Sequence, residues 1–331
     1  MRPRSYALPL ILLASAAGAR ANVALLLEEP FAKFGTFNPT GHAAVYLSGV
    51  CAASPVSLRR CNAGETGVVI SRYYHVDGYD WLAIPLLPYV YAVDDPTEVP
   101  VEVDAKNEVA LRNRYRREHL LNIVPDGLDG TMPGGDWTQL VGAAYDRTIY
   151  VLEMDSDEDQ DDRFIAAFNA GPNRSHFNLL FHNCAGFSAR VINSFYPHAV
   201  RRSWIGDAGL ETPKEAAKSL MRYGRSHADL RYRAFIVPQV PGSLGRSREV
   251  RGVLESLITG PEYTLPPLAF VNPLVAGGMA LAYVARFVFH PGHGFPGNIG
   301  VTLSPGDIAS NLAFDGRFTQ TDYSHTGYRR Q

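Results

Sequence analysis

The hydrophobic pattern of the chain changes character between Ser175 and Phe195, SHFNLLFHNCAGFSARVINSF. A mostly apolar run, Phe177 to Phe181, gives way to His182, Asn183 and Cys184. Beyond them Phe187, Val191 and Phe195 recur at every fourth position with Ile192 beside them, the spacing of one apolar helical face. The pattern predicts an extended segment turning into a helix whose first turn contains Cys184. Asn183 is a suited N-cap, because its side-chain oxygen can accept a free backbone N–H of that turn.

Elsewhere alternation predicts strands. TGHAAVYLS, Thr40 to Ser48, follows an Asn38-Pro39-Thr40-Gly41 turn. It places Ala44, Tyr46 and Ser48 on one side and Ala43, Val45 and Leu47 on the other, with His42 at its start. A second strand is expected over Gly67–Tyr74. A third is expected over Trp81–Val93, with Pro85 and Pro88 confining part of it to an edge or loop. Lys106–Val124 reads as a helix with Leu111, Tyr115, His119 and Ile123 on its apolar face. Arg112, Arg114, Arg116 and Arg117, beside Glu108 and Glu118, make its solvated face. A Gly/Pro-rich loop over 126–136 precedes a short helix, Trp137–Ala144, and a strand, Thr148–Met154. Thr212-Pro213-Lys214-Glu215 combines a threonine N-cap, proline in the first turn and glutamate three residues after the cap. The helix it opens is expected to run to Tyr223, followed by a strand over Leu230–Val237 and a helix over Ser247–Thr259. These elements mix helices and strands without an internal repeat, an α+β chain.

The ends read differently. Residues 1–21 have the form of a secretory signal peptide: Arg2 and Arg4 form a basic start, Ala7–Ala17 an apolar stretch, and Ala19-Arg20-Ala21 a small-x-small cleavage site. The mature chain is then expected to begin near Asn22, in a periplasmic or secreted setting. Residues 241–331 read as a C-terminal appendage. Within it, residues 265–285 carry no charge over a length that meets a membrane span, although Pro266, Pro267, Pro273 and Gly277-Gly278 interrupt it. Membrane contact through this segment and a buried hairpin or core helix are both open readings. From His290 onward the chain is loop-rich.

Composition narrows the partners. The chain has 331 residues, 46% of them hydrophobic, with 31 Lys and Arg against 33 Asp and Glu. Removing the leader takes away three arginines and no acids, so neither a nucleic-acid binder nor a strongly cationic surface is indicated. The three cysteines suggest one disulfide, Cys51–Cys61, around a Pro/Ser/Arg loop between two strands, and one free thiol, Cys184.

Asp155–Asp162, DSDEDQDD, starts like a calcium-binding loop. Gln160 stands where that loop needs glycine and Ala166 where it needs glutamate. The acids instead fit the first turn of a helix running to Phe168, where the helix dipole favours them. His176, His182 and Cys184 lack the spacing of paired zinc ligands. No metal or other cofactor is expected.

Two readings of Cys184 stand side by side. As a free cysteine it can be a small apolar residue packed at a helix start. As a thiol at the positive end of a helix dipole it is placed where thiolate is favoured and a nucleophile belongs. His42, likewise, can be a hydrogen-bonded surface residue or a general base.

The order of the two motifs, TGHAAVYLS early and NLLFHNCAGFSARVIN late, resembles the circularly permuted NlpC-like papain-fold group. That group includes relatives of lecithin:retinol acyltransferase and many bacterial proteins of unknown role. The resemblance covers residues 22–240. It implies a papain-like domain in which a small antiparallel sheet carrying the histidine packs on the cysteine helix. The group's nucleophile falls on Cys184 and its base on His42. The third polar residue usually sits on the strand after the histidine, where this chain offers Ser71 and, just beyond it, His75, with Asp77 and Asp80 farther on. No motif chooses between them, and His75 is taken as the third member with Ser71 as the alternative. The oxyanion would be held by the Cys184 backbone N–H with help from Asn183. The implied activity is thiol-dependent hydrolysis or acyl transfer at an amide or ester bond, in a cell-wall peptide or a lipid acyl group. The competing expectation is a non-catalytic envelope binding or structural protein on the same fold.

Overall fold

The computed structural model describes residues 21–31, 40–73, 76–174, 183–202 and 211–252, together with Pro273, Leu274 and Gly277. Strand β1 (Ala21–Glu28, ANVALLLE) is buried at every position. A strand buried on both sides has no polar face to alternate with, so it reads as one continuous apolar run. Strand β2 (His42–Leu47) pairs with it antiparallel, Glu28 opposite His42 and Val23 opposite Leu47. A separate hairpin of β3 (Val50–Ser54) and β4 (Ser57–Arg60) follows. The sheet then resumes with β5 (Val68–Ser71) and β6 (Leu82–Pro85).

Two helices, α1 (Leu86–Tyr91) and α2 (Ala105–Tyr115), lead through a π-turn at Arg116–Leu120 to the short α3 (Ala143–Asp146). Strand β7 (Ile149–Ser156) returns to the sheet and is followed by α4 (Glu158–Ala170), α5 (Cys184–Phe195), α6 (Pro213–Ser226) and β8 (Arg233–Val237). The strands form one six-stranded sheet in the order β6-β5-β2-β1-β7-β8, and every pairing in it is antiparallel. The described chain is therefore α+β, with β1 and β2 at the sheet's centre.

Both faces of the sheet are covered. Val23, Leu25 and Leu27 of β1 and Ala43, Val45 and Leu47 of β2 face a core completed by Phe187, Val191, Ile192 and Phe195 of α5 and by Leu220 of α6. Ala24, Leu26, Ala44 and Tyr46 face the other core, with α1, Tyr115, Trp137 and Tyr145. Each fully buried Leu, Val or Phe contributes about 1.5–3 kcal/mol, so it is this double burial that fixes the register. A one-residue slip of β2 would send Val45 and Leu47 to the wrong core.

The start of α5 is as the pattern predicts, and Thr212 caps α6, its side chain accepting from the Glu215 N–H with Pro213 in the first turn. Cys51 and Cys61 form a disulfide, with Cα atoms 4.8 Å apart, that ties β3 to the residue after β4. The acids at Asp157–Asp161 cap and open α4 as expected, the Asp157 side chain accepting from Gln160 N–H.

Several expectations are corrected. The Trp81–Val93 segment is not one strand: it leaves the sheet at Pro85 and continues as α1, which tolerates Pro88 in its first turn where no backbone donor is needed. The basic cluster of α2 is not a solvated face throughout. Arg112 and Arg116 are buried; Arg112 pairs with Asp146 at 2.6 Å and bonds the Val141 and Gly142 carbonyls. Arg116 is held by Asn113, Asp126 and the Val124 carbonyl. Residues 247–252 are not helical, and the rest of the predicted Ser247–Thr259 helix lies outside the described residues. The packed body does not stop at residue 240, for Ser247 bonds Glu29 at 2.6 Å and Val250 is wholly buried. Residues 1–20 and most of 265–285 lie outside the described residues. No helix among the described residues is long and apolar enough to cross a membrane.

Candidate active site

Asn183 begins the site. Its side-chain oxygen accepts the Gly186 N–H at 2.8 Å, capping α5, and its amide nitrogen donates to the Glu211 carbonyl at 2.9 Å. One asparagine thus fixes the entry of the cysteine helix and clasps the residue before the Thr212 cap. A Cβ at Gly186 would meet a Glu211 carboxylate oxygen, the mobile end of a side chain, which would have to move aside. These partners show Asn183 as an N-cap and tether.

Cys184, the first residue of α5, is the free thiol among the cysteines and keeps some exposed surface. Its sulfur nonetheless sits among densely packed atoms. Burial pushes the thiol up to about 11, and the nearby charge of Glu28 acts in the same direction. The backbone N–H groups of Ala43, Ala185 and Cys184 near the sulfur favour thiolate and oppose that shift without reversing it. Desolvation at this position works against the acidification that the helix start leads one to expect.

The influence of the Ala43 N–H sets the thiol near the start of β2, one residue along from His42. Gly41 makes that start of β2 possible: its φ is +71°, and a Cβ would overlap the Glu28 carbonyl oxygen. Side chains alternate along a strand. Ala43 accordingly faces the α5 core, while His42 stacks flat on Tyr73 of the other face, ring centroids 4.4 Å apart and planes 18° apart. His42 is buried, and its Nε2 has no hydrogen-bond partner among the described residues. Burial and then the charge of Arg147 hold its pKa well below 6.5. The imidazole is neutral at neutral pH, the protonation state a base requires. Thiol and imidazole lie near the same end of the sheet, at the start of β2, and Nε2 is not hydrogen-bonded to sulfur.

The expected third member divides in two. His75 lies outside the described residues. Ser71, the last residue of β5, is buried with its hydroxyl lacking a hydrogen-bond partner among the described residues. The β2–β5 register pairs Val45 with Ile70, and continued to the strand ends it sets Tyr73 opposite His42.

Behind Tyr73 lies a set of buried polar groups the sequence did not reveal. The Tyr73 hydroxyl contacts that of Tyr89 at 3.1 Å and donates to the Gln139 carbonyl at 2.9 Å. Tyr89 donates to Glu28. Glu28 pairs with Arg147 at 3.0 Å, and Arg147 donates to the Gln139 side chain at 3.0 Å. Burial raises the Glu28 pKa, against the lowering effects of Arg147 and Tyr89. The available signal was Glu28-Glu29 at the end of an apolar run and Arg147 just before a strand. Neither spacing forms a motif.

For metals, Asp94, Glu118 and His119 bring ligand atoms within 4.8 Å of one another on the exposed surface, where His119 already pairs with Asp94 at 2.8 Å. The group of Cys51, Cys61 and Glu65 offers no thiolate, since both sulfurs are in the disulfide. That disulfide suits an oxidising, exported environment.

Comparison of the chain with protein-family models, with curated proteins and with solved structures gives no match.

Proposed function

We propose that the protein is an exported thiol hydrolase or acyltransferase with the architecture of the circularly permuted NlpC-like papain-fold group. One observation carries the reading. The Cys184 thiol, at a capped helix start, lies close enough to the backbone N–H of Ala43, the residue next to His42, to be influenced by it, and the neutral imidazole of His42 keeps a buried Nε2 unpartnered among the described residues. A buried polar atom without a partner costs about 1–3 kcal/mol, and a group that bonds only during a reaction accounts for that cost. Hydrogen bonds of catalytic pairs are commonly long in the free protein and tighten when substrate binds.

In this mechanism His42 Nε2 takes the thiol proton as Cys184 Sγ attacks the carbonyl carbon of an amide or ester. The backbone N–H groups of Cys184 and Ala185 stabilise the developing oxyanion. As the tetrahedral intermediate collapses, the C–N or C–O bond breaks and the leaving group takes the proton from His42. Water or an amine then attacks the thioester, His42 accepts its proton, and the thiol is regenerated. Because the thiol is neutral at rest, proton removal belongs to the attack itself. Cell-wall peptides and lipid acyl esters or amides are the substrate classes, and the uncharged 265–285 segment favours lipid through membrane contact.

The raised thiol pKa and the absence of a sulfur–Nε2 hydrogen bond favour a second reading, a non-catalytic envelope protein with a packed Cys184. The two separate in one experiment: p-nitrophenyl acetate is added to the oxidised protein and acylation is located by peptide mass mapping. Acetylation confined to Cys184 and slowed about 100-fold or more in His42→Ala supports the enzyme. Acetylation at equal rates in both proteins, or none at Cys184, leaves the binding protein.

A further inference from the structure

The sequence looked for the residue that orients His42 among small polar candidates on the strand after it. The geometry points elsewhere. We infer that Tyr73 is the positioning residue for His42, acting by stacking, and that a ring of mostly buried groups, Tyr73–Tyr89–Glu28–Arg147–Gln139, joined by hydrogen bonds and an ion pair except where the two tyrosine hydroxyls merely touch, holds Tyr73 in place. The inference rests on the reading of His42 as the base.

The stack itself is the first support. An imidazole 4.4 Å from a phenol with planes 18° apart has one of its faces covered, which restricts rotation about the Cβ–Cγ bond. No hydrogen bond at Nε2 fixes the ring among the described residues. A base whose ring turned freely would present its nitrogen in only a fraction of its orientations, and misplacement of a reacting group by about 1 Å costs about 100-fold.

Proton counting gives the second support. Tyr73 and Tyr89 have one hydroxyl proton each. Tyr89 gives its proton to the carboxylate of Glu28, which Arg147 neutralises at 3.0 Å. Tyr73 gives its proton to the Gln139 carbonyl at 2.9 Å. With both protons committed, the Tyr73 phenol has none to offer His42, so its action is through the ring face. Gln139 closes the circuit, receiving Tyr73 at its backbone oxygen and Arg147 at its side-chain oxygen.

The third support is placement. Glu28 lies opposite His42 in the β1–β2 register, and Tyr73 reaches the same position from the β5 side. Tyr89 comes from α1, and Arg147 from the turn between α3 and β7. Four separate pieces of chain converge under one imidazole, with Glu28, Tyr89 and Arg147 at most 2% exposed. Packing alone would be served by apolar side chains there, because a buried ion pair seldom adds stability over a well-packed apolar replacement.

The test uses the full chain with its disulfide intact and p-nitrophenyl acetate as the probe. Steady-state hydrolysis is measured for wild type, His42→Ala, Tyr73→Leu, Tyr73→Phe and Tyr89→Phe, and thermal melts establish folding. Tyr73→Leu, which keeps bulk but loses the aromatic face, is expected to lower kcat about 10- to 100-fold with KM unchanged. Tyr73→Phe is expected to rescue most of that loss. Tyr89→Phe, which opens the ring without touching the stack, is expected to fall between them and serves as the readout if Tyr73→Leu does not fold. If His42→Ala is inert while Tyr73→Leu and Tyr89→Phe both match wild type, the positioning role is overturned and the Cys184–His42 reading stands. If His42→Ala itself matches wild type, that reading fails first and the inference falls with it.

Discussion

The state of the Cys184 thiol decides what kind of chemistry the site can perform, and it can be measured without knowing the substrate. The perturbation is pH. An ordinary cysteine thiol has a reference value of 9.0, and burial raises Cys184 to about 11. Two units correspond to about a 100-fold smaller thiolate fraction at neutral pH, since each unit is tenfold. Iodoacetamide reacts with thiolate, so the initial alkylation rate of Cys184, followed by peptide mapping from pH 6 to 11, should still be rising steeply at pH 10. In urea-unfolded protein at pH 8 the same thiol should react about 100-fold faster. Glu28→Gln, which removes a charge that disfavours thiolate, should move the profile down in pH. The shift also carries a stability consequence. The folded pKa lies above the unfolded one, so the contribution is fully present below pH 9 and lost as pH rises through 11, at most about 3 kcal/mol. A midpoint at or below 9 in the folded protein would refute the reasoning, because the helix dipole and backbone donors would then have outweighed burial. It would also change the mechanism, from base-assisted attack by a neutral thiol to attack by a preformed thiolate.

Two further outcomes test the packing around the sheet. Asp161 is buried at the start of α4, and burial raises its pKa to about 7, with Arg60 opposing and Asp157, Asp162 and Glu158 adding to the shift. Its contribution is present below an unfolded value near 3.8 and lost as pH rises through 7. Asp161→Asn should therefore improve urea stability by about 2–3 kcal/mol more at pH 8 than at pH 5, and an equal effect at both pH values would contradict the assignment. Arg116, wholly buried against Asn113, Asp126 and the Val124 carbonyl, pins the 124–126 turn. Arg116→Ala strips the buried Val124 carbonyl of its donor while Asp126 stays in contact with water, so it should cost about 1–3 kcal/mol in chemical denaturation, and no measurable loss would show that this turn does not depend on the clasp.

Local signals carried the cysteine helix and its cap, the Thr212-Pro213 helix start, the strand that opens at His42 and the Cys51–Cys61 pair. Each is written in residues within a dozen positions of one another. What escaped depended on distance or on context. β1 went unread because ANVALLLE directly follows a leader-like segment and shows no alternation, being buried on both faces. The LLPYVY run of α1 is aromatic and β-branched enough to pass for a strand. Its helix is decided by Pro85 closing the sheet edge and by burial of all six side chains. Arg112 reads as one charge in a basic run because its partner Asp146 comes 34 residues later.

The same distinction explains why the placement of Cys184 at a helix start was legible and the surroundings of His42 were not. A thiol at a helix start needs only local sequence, a cap and an apolar face. Its protonation state depends on the density of atoms around it, which no spacing reveals, and here that density overrides the dipole. The base is held from further away. His42 takes its place from Gly41, its ring orientation from Tyr73 and its neutrality from burial and Arg147. Those groups lie on different strands and turns and meet only when the sheet has formed. Arg147 disfavours an imidazolium and Glu28 disfavours a thiolate, so this charged pair opposes the ionised form of both partners at once. An arrangement of that kind favours the uncharged forms of Cys184 and His42. It also keeps a thiol in an oxidising compartment in its less reactive form, which reconciles a free cysteine with export.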